Sequence, residues 1–133
     1  MNSIIKKINN LSEYLSAVAI ELKYFENSTG PTWFRGISNC DHKLIPNIYR
    51  NFIADDYSER ELTRDFKLLS RQFLKNDMPQ SDIEWMFLMQ HYGLSTRLLD
   101  WSESSLIALF FAVKHHEINC DAAVWIFDPF EFN

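Results

Sequence analysis

The stretch Gln90-His91-Tyr92-Gly93-Leu94-Ser95-Thr96-Arg97-Leu98-Leu99-Asp100-Trp101 separates two apolar helical patterns. Most connections run about 4–6 residues and carry small polar side chains. This one holds two opposite charges, Arg97 and Asp100, around a Leu-Leu pair. Leu98 and Leu99 read as inward-facing, which predicts that the charges beside them are partly buried. A buried charge needs a partner or hydrogen bonds. Asp100 is therefore expected to contact Arg97 or Arg35. Trp33-Phe34-Arg35-Gly36 has the same character, one cation set directly behind two aromatics.

Working outward, residues 10–26 read as an amphipathic helix, capped by Asn10 with Glu13 at the capping-box position. Its face is Leu11, Leu15, Val18, Leu22 and Phe25. Thr32 to Gly36 reads as a short strand stopped by Gly36, and residues 37–51 as irregular. Ser58 and Glu61 form a second capping box for a helix reaching about residue 75, with Leu62, Phe66, Leu69 and Phe73 on one face. Ser81 and Glu84 form a third, for a helix carrying Ile83, Phe87 and Gln90. Gly93 suits that helix's left-handed end. Residues 94–101 are read as opening with a short strand. Ser102 or Ser104 caps the next helix, which runs to His115 or His116. Residues 122–127 form an apolar strand of the kind found inside a sheet, ended by Asp128-Pro129. The order predicts a mixed α+β fold, with helices around a small and incomplete sheet.

The 133 residues make a single domain, 1–133, rich in aromatics and 47% hydrophobic. Residues 1–76 hold eleven cations and nine carboxylates, whereas 77–133 hold two and nine. The overall charge of −5 argues against long nucleic acid as a partner. Arg97 is one of only two cations in the acidic half, the other being Lys114, which predicts a specific partner for it. Cys40 and Cys120 lack metal-ligand spacing and read as reduced thiols of a cytoplasmic protein. No run of residues is long and apolar enough for a membrane span, and no Cys/His cluster prompts a metal site.

The two motifs resemble the FRG-domain family, named for an aromatic-Arg-Gly tripeptide, here Phe34-Arg35-Gly36. The likeness continues through Leu44-Ile45-Pro46 and Arg50. It is strongest over Gln90-His91-Tyr92-Gly93 and Thr96-Arg97-Leu98-Leu99-Asp100-Trp101. It ends on the Ala108–Ala112 helix and the Ala123–Pro129 strand, covering about 31–129. Ser95 departs from the family, which often has Pro there. The resemblance implies a further β-rich portion with another Arg and a Gln-Gly-x-Phe-like motif. On that basis the chain is expected to lack a C-terminal portion.

The candidate ligand-binding residues are Arg35, Gly36, His91, Ser95, Thr96, Arg97, Asp100 and Trp101. Each has a structural alternative. Arg35 is placed at a strand end, where Gly36 leaves room for a phosphate or for another backbone. The alternative has Arg35 stacked on Trp33 or paired with Asp100. Arg97 and Asp100 read as a loop-stapling ion pair ahead of a catalytic one. His91 is a candidate base or a hydrogen-bonded residue at a helix end. Gln90 and Tyr92 either orient a polar ligand or tie down the helix end. The acidic group Asp55, Asp56, Glu59 and Glu61 reads as a solvated helix start.

A remoter resemblance is to ADP-ribosyltransferases of the Arg-Ser-Glu type. It implies NAD or a related phosphate ligand, with Arg35 on the pyrophosphate and Ser95 or Thr96 lining the pocket. It also requires a late catalytic Glu, for which Glu131 is the only candidate, in a context that does not match. The implied activity is therefore weak or absent. The competing expectation is a non-catalytic module recognising a ligand or protein, built on a structural Arg/His/Asp network. Its partner could be another protein or a second copy of the chain.

Overall fold

Gly36 shows how the fold is assembled. In the computed structural model, a side chain at Gly36 would land on the Ala108 carbonyl and close to the Ala112 nitrogen. A helix backbone therefore packs directly on this strand, and only glycine admits it. The structure describes residues 6–25, 30–50, 56–74, 78–114 and 119–130. The elements run α1 (Leu11–Tyr24), β1 (Trp33–Ile37), α2 (Asn47–Arg50), α3 (Asp56–Ser70), α4 (Asp82–His91), α5 (Ser105–Lys114) and β2 (Ala123–Phe127). The fold is α+β. It divides into two units, Met1–Asp41 with Trp101–Asn133, and His42–Asp100.

In the first unit β1 pairs antiparallel with β2, in the register Trp33–Phe127, Phe34–Ile126, Arg35–Trp125, Gly36–Val124 and Ile37–Ala123. On its other edge Phe34 exchanges backbone hydrogen bonds with Ser102, at 2.7 and 2.8 Å. Alternation along β1 turns Phe34 and Gly36 toward α5. Tyr14, Val18, Phe34 and Ala108 are buried together, with Leu109, Val124 and Ile126 packed against them. The Tyr14 hydroxyl donates to the Ser105 carbonyl at 2.7 Å, tying α1 to the start of α5. Burial raises the Tyr14 phenol above its ordinary value, and that hydrogen bond offsets part of the rise.

The second unit contains α2, α3 and α4. Trp85 and Met89 of α4 are buried, Met89 completely. The Phe66 ring of α3 meets Trp85 edge-on at 6.2 Å.

The helix caps follow the local rules. Asn10 Oδ1 accepts the Glu13 N–H at 2.9 Å, and Ser81 Oγ accepts the Glu84 N–H at 3.3 Å. The two Glu side chains reach one residue further back than a capping box requires, to the N–H groups of Asn9 and Gln80. Gly93 has φ +79°, and the Leu94 N–H closes on the Met89 carbonyl behind it. Ser104 caps α5 by accepting the Ile107 N–H.

Several expectations need correction. β1 passes through Gly36 to Ile37. Residues 94–101 form no strand, and the extended pairing falls on Ser102. α3 already includes Ser58, so Ser58 is not its cap, and the helix stops at Ser70 rather than near 75. There the Ser70 hydroxyl bonds back to the Phe66 carbonyl, competing with the helix. The predicted faces are rotated. Leu11, Leu15, Leu22, Leu69, Phe73, Ile83 and Phe87 are exposed, and of the predicted α1 face only Val18 is buried, joined by Tyr14. α1 and α4 carry apolar residues around most of their circumference, so spacing alone does not select their inner faces. Among the described residues β2 has a strand neighbour on one edge only. The His115 and His116 helix end, Asp55 and Glu131 lie outside the described residues.

Candidate functional site

The loop after α4 is held by its own polar side chains. Thr96, only 3% exposed, donates its hydroxyl to Gln90 Oε1 at 3.0 Å and accepts the Leu98 N–H at 3.2 Å. The same Gln90 donates its Nε2 to Asp100 Oδ1. The Thr96 carbonyl accepts the Ile48 N–H of α2. One amide at the end of α4 thus fixes both ends of the turn from Thr96 to Asp100. Of the two possibilities for Gln90, the geometry matches the one in which it ties the helix end down.

Arg97 grips Glu59 of α3. Its Nε donates to Glu59 Oε2 at 2.5 Å and Nη2 donates to the same oxygen, while its backbone N–H reaches Oε1 at 3.2 Å. The Glu59 carboxylate is buried, and the Arg97 side chain is 44% exposed. A carboxylate out of water is tolerable when charge-assisted hydrogen bonds replace its hydration. Arg97 therefore has the specific partner its isolation predicted. Glu59 is not the solvated helix-start residue that its acidic neighbours suggested. Its role was missed because the pair spans 38 positions. The available signal was that Glu59 shares a helix face with Thr63 and Phe66, at spacings of four and seven.

The remaining candidates divide between the two units. Arg35 lies mid-strand rather than at a strand end, because β1 runs one residue past Gly36. It is half-buried, with Nε shielded from solvent. Its register partner is Trp125, and Trp33 and Phe127 share that sheet face. Trp101 is half-buried and packs its ring on Phe127 at 5.3 Å. Gly36 admits the α5 backbone, so the space expected for a phosphate there is filled by protein. In the other unit His91 is exposed, with its ring edge against Tyr92. Ser95 is half-buried. Asp100 is exposed rather than partly buried, because it leads out of the turn instead of sharing the burial of Thr96.

A groove of about 550 Å³ lies along α3 and α4 in the second unit. Lys67 on its wall donates to Asp82 at 2.6 Å and sits over the Trp85 ring. That ammonium holds the Asp82 carboxyl below its ordinary value. Among the described residues no set of three His, Cys, Asp or Glu side chains is arranged to hold a metal. No described helix is long and apolar enough to cross a membrane.

The fold and site thus define a small α+β domain. Its aromatic-Arg-Gly strand packs on an alanine-bearing helix, and a His-x-Gly to Arg-Leu-Leu-Asp-Trp loop is pinned to a helix end. The FRG domain model matches residues 30–120, and the chain belongs to the FRG-domain family. No curated protein and no solved structure matches the chain.

Proposed function

We propose that this FRG domain binds NAD or a related nucleotide in the manner of ADP-ribosyltransferases, with weak or no transfer activity of its own. The observation that carries this reading is the setting of Arg35. It occupies the middle strand position of the first unit, on the sheet face shared with Trp33, Trp125 and Phe127. A guanidinium supplies a planar fork for phosphate oxygens, and flat aromatic faces suit the stacking of a nucleotide ring. Trp101, in the same unit, remains a candidate for lining such a pocket. Transfer chemistry of the Arg-Ser-Glu type needs a carboxylate from a late strand. The five residues of β2, Ala-Val-Trp-Ile-Phe, contain none.

A second reading, a non-catalytic ligand- or protein-recognition module, draws on a different observation. Gln90, Thr96, Arg97 and Asp100 all hold the loop in place through the bonds described above. Residues that stabilise a turn so fully have fewer donors left for a substrate.

Titration calorimetry of the full chain with NAD separates the two. Binding by the wild type that is lost in Arg35→Ala supports the nucleotide site. Silence at millimolar NAD, or equal heats from both proteins, rejects it in favour of the recognition module.

A further inference from the structure

We infer that the groove along α3 and α4 is a binding site for a small anion carrying two or more phosphate groups. Arg60, Arg64, Lys67 and Arg71 line it, and Arg97 closes the set. Their spacings of four, three and four place the first four on one side of α3 and the turn beyond it. At about 1.5 Å per residue that row extends over roughly 16 Å. Five cations thus face one groove in a chain whose net charge is −5.

The groove's carboxylates do not cancel this charge so much as position it. Glu59 and Asp82 are the acidic lining residues. Glu59 is buried and holds the Arg97 guanidinium from one side. Asp82 and the Trp85 ring fix the Lys67 ammonium. Two cations are therefore set in place before any ligand arrives, which lowers the ordering cost of binding. Arg64 has exposed surface partners in Glu61 and Asp65. Arg60 and Arg71 have no ion pair among the described residues.

The ligand class follows from spacing and field. Each cation is open to water, where a single ion pair contributes little. A lone carboxylate or monophosphate would engage one or two of them. A ligand with several phosphate groups can engage the row together, and bidentate guanidinium–phosphate contacts favour it over carboxylates. A long nucleic acid would extend past the groove onto a net-acidic chain, which disfavours it. The groove volume lies within the range of small-molecule sites.

The probe is inorganic tripolyphosphate, titrated calorimetrically into the full chain in magnesium-free buffer at two salt concentrations. The wild type is expected to bind, more weakly at higher salt. The double variant Arg60→Ser, Arg71→Ser should weaken binding roughly tenfold or more. Both residues are exposed, so circular dichroism should show the fold unchanged. Arg35→Ala should bind tripolyphosphate as the wild type does, which separates this site from the nucleotide reading above. Absence of wild-type binding at millimolar tripolyphosphate, equal binding by the double variant, or loss on Arg35→Ala would each overturn the assignment. Tighter binding of an RNA oligomer or an acidic peptide than of tripolyphosphate would overturn the small-ligand class.

Discussion

At the scale of single residues, the Glu59–Arg97 pair concentrates most of the risk in the second unit. Arg97→Ala leaves a buried carboxylate with, among the described residues, only the backbone N–H of position 97 as a close donor. It should cost about 3 kcal/mol, the lower end for breaking a buried pair, because the guanidinium is itself half-exposed. Glu59→Gln keeps the volume and an acceptor, and it leaves behind an arginine that water can reach. It should cost clearly less, about 1–2 kcal/mol. Urea midpoints rank the two, and the reverse order would refute this account of the pair. Tyr14 makes a pH prediction. Its raised phenol keeps its proton in the folded chain at a pH where the unfolded chain has lost it. The stabilisation is complete below the ordinary tyrosine value and disappears as pH climbs through the raised folded value. Tyr14→Phe should therefore flatten the loss of stability as pH rises past the ordinary tyrosine value of about 10. An unchanged alkaline slope would show that Tyr14 does not contribute.

At the scale of elements, two glycines perform different tasks, and alanine substitutions distinguish them. Gly36→Ala pushes a methyl into the α5 backbone, which has no flexible side chain to yield. The cost should reach about 3 kcal/mol, the upper range for overpacking. Gly93→Ala meets no atom within 4 Å. Its cost is confined to the left-handed backbone at φ +79° and should be about 1–2 kcal/mol. Thermal melts measure both, and a Gly93→Ala loss equal to that of Gly36→Ala would contradict the division. The cap positions at Asn10, Ser81 and Gly93 were legible because a cap acts within four residues of its helix. The inner faces were not. α5 buries Ala108 and Ala112 while Leu106, Ile107, Phe110, Phe111 and Val113 stay about half exposed. The strand presses so closely that the small side chains face it.

At the scale of the molecule, exposed apolar surface competes with net charge. The exposed α5 residues and Leu11 and Leu15 of α1 leave large apolar side chains in contact with water. The chain is expected to self-associate with rising concentration, and more strongly as salt screens its net −5. Light scattering should show this, with Phe110→Lys, Phe111→Lys reducing it; a concentration-independent monomer would refute it. The α+β class, the order of the four longer helices and two strands, the family motifs and the need of Arg97 for a partner were legible in the sequence, whereas the short α2 fell where an irregular segment was expected. Each rests on short-range pattern, on capping within a turn, or on a charge conspicuous among its neighbours. Tertiary structure alone decided that the partner is Glu59, that α5 fills the space beside Gly36, that Arg35 lies mid-strand, and that α3 and α4 gather five cations around one groove. Those outcomes depend on packing between segments distant in the chain, where several faces and partners were chemically acceptable and only shape selected among them.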